Sequence, residues 1–267
     1  MKRLGLITFR KLFKSRVFWI MLSLYVLSLS GMLFGVESFV NKIAGDASRN
    51  SPIPIPDFSL YQFPYVWHNL SYLAGFLKVF PALILIVFVA AEYSYRTNRL
   101  QIMMGLSRGE YFVTQGLIIL ALVLFSVLIL AMWVLIQGFL HSTDLSLISI
   151  ADKSYFIAAY ALEITAFLSF ALLIVTMLRR SGLSIVTFLV AYYVIEPIIR
   201  FYVPEVVARN LPFKRIGSMI DVPNSSLMQL FGLNFKTYIE YHDLIVVLLY
   251  TLLFLGISYW IIRKRNL

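Results

Sequence analysis

Six runs of about twenty apolar residues run through this chain, each able to cross roughly 30 Å of bilayer hydrocarbon at 1.5 Å of helical rise per residue. Their limits are Val17 to Val36, Tyr72 to Ala91, Phe112 to Leu140, Tyr155 to Leu178, Leu183 to Val203 and Leu244 to Ile262. Hydrocarbon offers no partner to a free backbone amide, so these runs must satisfy their own hydrogen bonds as helices; the alternating pattern of a membrane barrel is missing. With 60% of residues hydrophobic and 13% charged, the reading is an all-α membrane protein, one domain over residues 1–267.

Charge placement orients the spans. If both termini are cytoplasmic, the inside segments (1–16, 92–111, 179–182 and 263–267) hold fourteen Lys and Arg and only two acids, Glu92 and Glu110. The outside loops, about twice as long, hold seven basic residues (Lys42, Arg49, Lys153, Arg209, Lys214, Arg215 and Lys236) and nine acids. The positive-inside rule then gives six spans with N and C termini inside, in the cytoplasmic (inner) membrane. The net charge of +10 flanks apolar runs rather than forming a folded basic face, which argues against nucleic acid as a partner.

The N-terminal "MKRLGLITFRKLFKSR" has a charged part too long for a signal peptide, and no small-residue cleavage site follows; it reads as retained. Over residues 1–16 a helical projection gathers Leu6, Phe9, Leu12 and Phe13 on one side and Arg3, Arg10 and Lys14 on the other. That is the pattern of a helix lying among lipid headgroups, with a plain basic tail as the alternative. Two outside loops are long. Residues 37–71 contain the proline-spaced "SPIPIPDF" and should be extended; residues 204–243 contain Pro204, Pro212, Pro223 and the semi-apolar "SSLMQLFGL", which suits short helices dipping back against protein.

Catalytic signatures are missing. There is no cysteine, no Gly-Lys dipeptide for a phosphate loop, no His-Glu-x-x-His and no Gly-x-Ser-x-Gly, and His68, His141 and His242 are scattered. The chain is therefore not expected to be an enzyme by itself or to hold a metal. Four ionisable residues lie inside spans: Lys78, Glu163, Glu196 and Arg200. Each costs about 3 kcal/mol at the bilayer centre, so each needs a partner or must snorkel. Glu196 and Arg200, at i and i+4, are spaced to pair on one helix face, and Pro197 between them should kink that helix. The four either line a translocation path or form a structural pair with two snorkelling side chains. Gln115, Gln137, Ser169, Thr176 and Thr187 read as helix-contact hydrogen bonders.

The segment 92–111, placed inside by the topology, carries Arg96, Arg99 and Arg108 around Leu100, Ile102, Met103, Met104 and Leu106. It makes either a short amphipathic surface helix broken near Gly105 and Gly109, or a solvated basic loop. Glu92 closing the second span, "RTNRLQ" at 96–101 and "GLSRGEYF" at 105–112 resemble the permease of ABC-2 type transporters, and the architecture of the whole chain is similar to that family. Gln115 departs from it, since many relatives have a lysine there.

The resemblance implies an exporter permease that pairs with a second copy or a paralogue and is driven by a separate cytoplasmic ABC ATPase, which binds the ATP and Mg²⁺. It implies no cofactor in this chain. The coupling helix would fall between Arg96 and Arg108, with Glu92, Thr97, Arg99, Leu100, Gly105 and Ser107 in or beside it. The N-terminal helix, with Arg3, Phe9, Arg10, Phe13 and Lys14, would touch both lipid and the ATPase. Lys78, Glu163, Glu196 and Arg200 would lie near the translocation path. Two readings stand beside it: a non-transporting membrane scaffold or immunity protein, and an intramembrane enzyme using Glu163 or Glu196.

Overall fold

The computed structural model describes residues 13–49, 60–103, 105–223 and 238–264, which are mostly helical, joined by turns and short irregular stretches, and contain no strand. In chain order the helices are α1 (Arg16–Arg49), α2 (Val66–Gly75), α3 (Val79–Ser94), α4 (Thr97–Met103), α5 (Arg108–His141), α6 (Leu147–Ala151) and α7 (Tyr155–Leu178). They continue as α8 (Ser181–Val190), a π turn (Ala191–Ile195), α9 (Glu196–Tyr202), α10 (Glu205–Arg209), α11 (Pro212–Gly217) and α12 (Tyr241–Lys264). Among the described residues five helical segments are long and apolar enough to cross a membrane, and the bent pair α2–α3 makes a sixth if counted as one span.

The apolar runs located the spans but not the ends of the helices. Helix α1 continues thirteen residues beyond Val36 to Arg49, where an outside loop was expected to begin. Nothing in "ESFVNKIAGDASR" forbids helix, and the first proline comes at Pro52; loss of hydropathy ends a span, whereas a breaker ends a helix. The second span, expected as one run from Tyr72, starts at Val66 and bends by 45° at Phe76–Lys78. Pro81 has no N–H for the Leu77 carbonyl, and the turn tightens to i→i−3 bonds such as Phe76 N–H to Leu73 O (3.1 Å) and Phe80 N–H to Leu77 O (3.1 Å). Polar His68 and Asn69 had hidden the first part of this span. Both are buried and satisfied: Asn69 Nδ2 donates to Leu60 O (2.7 Å), and His68 Nε2 donates to Asp221 O (2.8 Å) while its ring stacks on Phe156.

The fifth span changes its helical winding just before Pro197. The π turn Ala191–Ile195 absorbs the hydrogen bond that proline cannot make, so helix Ser181–Tyr202 continues through Pro197 as one span, with a change of helical register rather than a sharp bend at the expected position. In the loop expected over 204–243, α10 and α11 form around Pro204 and Pro212, each proline sitting at a helix start where its missing N–H costs nothing. "SSLMQLFGL" and "SPIPIPDF" lie outside the described residues.

Helix α7 is the axis of the bundle. Most of its side chains are buried, far more than on Ser181–Tyr202, and it packs on α2, α3, α5, α8, α11 and α12. Between membrane helices association rests on close packing and hydrogen bonding, and α7 supplies small residues for it: Ala159, Ala166, Ser169 and Ala171 are buried. The α8–α9 segment stays peripheral and leaves Leu183, Val186, Val190, Val194 and Ile198 exposed. One end of the bundle gathers the start of α1, the α3–α5 connector, the α7–α8 turn and the end of α12. We call it the terminal end, and the other, with α10 and α11, the loop end.

Candidate functional site

Among the described residues, three polar centres built around charged side chains interrupt the apolar bundle. The first is at the terminal end. Glu92, in the last turn of α3, is buried at 4% exposure and accepts hydrogen bonds from Tyr111 Oη (3.1 Å) and Gln115 Nε2 (2.8 Å) of α5. Gln115, the position that departs from the family pattern, thus clamps α3 to α5 through this carboxylate. After α3 the chain reverses at Arg96, whose φ of 54° lies in the left-handed region, and enters α4 at Thr97. Thr97 Oγ1 donates back to Glu92 O (3.4 Å).

Helix α4 leaves through Gly105, whose φ of 100° only glycine adopts without strain, to Ser107. Ser107 caps α5 by accepting from Glu110 N (3.2 Å), while Glu110 Oε2 accepts from Ser107 N (2.9 Å). This is a complete capping box, announced by Ser-x-x-Glu ahead of an apolar run, and it puts Arg108 to Tyr111 inside α5 rather than in the connector. Arg108 donates to the Arg263 carbonyl at the end of α12, where a cation suits the helix dipole. It is therefore engaged by the chain's own helix end at the surface.

The exposed apolar side chains left on α4 are Leu100 (52%) and Met103 (75%). Of the N-terminal helix, Phe13 and Lys14 are helical and exposed, and Trp19 Nε1 donates to Phe13 O (2.7 Å). Arg3, Phe9 and Arg10 lie outside the described residues, as does the side chain of Arg99.

The second centre is inside the bundle. Lys78, in the break between α2 and α3, pairs with Glu163 on α7 at 2.6 Å, with the two residues 4% and 3% exposed. The ammonium also lies 5.3 Å from the Phe167 ring centre and 5.8 Å from that of Tyr192. Neither charge snorkels. Sequence spacing could not reveal a pair separated by 85 positions.

The third centre is at the loop end, where the expected Glu196–Arg200 pair does not form. The buried Glu196 carboxylate instead accepts the Phe213 N–H (2.8 Å) and the Lys214 N–H, capping the start of α11 from a neighbouring helix. Free N–H groups at a helix start are stronger claimants for a buried carboxylate than an exposed guanidinium that water already solvates. Nearby, Arg215 of α11 meets Asp243 of α12 at 2.7 Å and also contacts His242 Nδ1. This buried pair, missed in the sequence because its members sat in a loop and at a span edge, holds α11 against α12. Arg200 is exposed and faces a cavity of ≈ 570 Å³.

Long apolar helices around a core with internally paired charges define a multi-pass helical membrane protein. No family model matches the chain, and no curated protein matches it.

Proposed function

We propose that this protein is the transmembrane subunit of an ATP-driven exporter of the ABC-2 type, with six spans and both termini on the cytoplasmic side of the inner membrane. It works with a second copy or a paralogue and with separate ABC ATPase subunits that bind ATP and Mg²⁺. The observation that carries the reading is α4. It is a seven-residue helix at the terminal end, anchored on one side through Glu92, Tyr111 and Gln115 and on the other by the Ser107–Glu110 box, with Leu100 and Met103 left uncovered.

A short helix held rigidly at both ends transmits displacement instead of absorbing it. A partner that moves α4 would move α3 and α5 with it, since the buried Glu92 hydrogen bonds tie those helices together. ATP-driven closure of the partner would then bias the bundle between two arrangements. Lys78, Glu163, Glu196 and Arg200 would lie near the path taken by the cargo.

The test uses surface positions, because Arg108 supports α12. Leu100→Asp and Met103→Asp are expected to abolish co-purification with a phosphate-loop ATPase and its stimulation by this subunit. Membrane insertion and thermal stability should stay as in wild type. An ATPase that associates equally well with both variants, or no associated ATPase at all, would refute the assignment and favour a membrane scaffold.

A further inference from the structure

The cavity of ≈ 570 Å³ at the loop end shares Arg200 and Lys214 with a second cavity of ≈ 410 Å³. Arg200, Arg209 and Lys214 are exposed there, and none makes an ion pair among the described residues. The local acids do not neutralise them: Glu196 is held by α11 backbone N–H groups and Asp243 faces Arg215, leaving exposed Glu205 and half-buried Asp221 against three cations. The second cavity adds Phe76, Tyr192, Tyr193 and Phe213 as aromatic walls.

Depth narrows the occupant. Arg200 is in the last turn of an apolar helix whose outer face, Val190, Val194 and Ile198, is bare. Tyr193, Phe201, Tyr202 and Tyr241 are exposed around it, the aromatic girdle that marks headgroup level. A guanidinium with no ion pair among the described residues, at this level and beside apolar surface fit for acyl chains, suits a phosphate attached to a lipid rather than a free anion. We propose that Arg200 and Lys214, with Arg209, form a binding site for the phosphate of an anionic phospholipid in the leaflet at the loop end, its chains lying along α8–α9. The site does not depend on the export reading and would function in a scaffold equally well.

The full chain, reconstituted in bilayers, is labelled with phosphatidylglycerol carrying a photoreactive group beside its phosphate, and adducts are mapped by peptide mass spectrometry. Wild type should be labelled within residues 192–218. Each of Arg200→Ala and Lys214→Ala should weaken labelling there roughly fivefold, and the double variant about twenty-five-fold, while adducts elsewhere are unchanged. Arg200→Lys should retain most of the labelling. A double variant with wild-type melting behaviour and undiminished labelling in that region overturns the proposal. So does equal labelling by a phosphatidylcholine analogue. Displacement by millimolar inorganic phosphate would overturn the lipid source by showing a free-anion site, whereas persistence of the lipid supports it.

Discussion

Replacing Glu163 by leucine should be among the most damaging single changes in this protein. It strands the Lys78 ammonium, 4% exposed, at a break in a membrane-spanning pair of helices, with the Phe167 and Tyr192 rings at 5.3 and 5.8 Å as its remaining close contacts. Ring contacts of that kind contribute about 0.5–2 kcal/mol. Leaving a buried charge without its partner costs about 3–5 kcal/mol, so the rings cannot make up the loss. At about 2–4 °C per kcal/mol for a chain of this size, Glu163→Leu should melt roughly 6–20 °C lower. Lys78→Met should be comparable.

The double variant Lys78→Met/Glu163→Leu removes both charges and keeps the volume, and exchanges of this kind are neutral or stabilising in many buried pairs. Measured as a double-mutant cycle on detergent-solubilised protein by thermal unfolding, the pair should show a coupling energy of at least about 2 kcal/mol, with the double variant near wild type. Additive losses, with the double variant the least stable of all, would show that Lys78 and Glu163 do not act as a pair and would refute the reasoning.

Ser107→Ala should cost about 1 kcal/mol through loss of the α5 cap, read as a lower melting temperature and faster amide exchange at Arg108 to Tyr111. Glu196→Ala should expose the Phe213 and Lys214 amides to faster hydrogen exchange and cost about 1 kcal/mol, while Arg200→Ala leaves that exchange unchanged; equal effects would restore the Glu196–Arg200 pair. Gly138→Ala puts a Cβ against the edge of the Phe63 ring, closer than van der Waals contact allows, an overpacking cost of about 1–3 kcal/mol, and Phe63→Ala in that background should recover part of the loss. Gln115→Leu should loosen α3 from α5, seen as faster exchange around Glu92, without changing the helical content measured by circular dichroism.

The membrane-spanning character and the position of the α4 segment were legible in the sequence because hydration is local. Twenty consecutive apolar side chains must leave water wherever the chain goes, and a charged interruption must return to it. The limits of helix α7 coincide with those of the apolar run Tyr155–Leu178, since polar positions and a break bound it on both sides. Capping is also local, and Ser107-x-x-Glu110 was readable as the start of α5 although only hydropathy was used to place it. Hydropathy could not show that α1 runs on to Arg49, because helix and span end for different reasons.

Tertiary structure alone decided which charges meet. Glu196 looked paired with Arg200 four residues on, yet it caps α11, and its carboxylate is taken by two amides from another helix. Lys78 found Glu163 across the bundle, and Glu92 was sealed under Tyr111 and Gln115. A residue's solvation cost is set by its own neighbourhood in the sequence, but the group that meets that cost is whatever the packed helices bring within about 3 Å, and no local spacing encodes it.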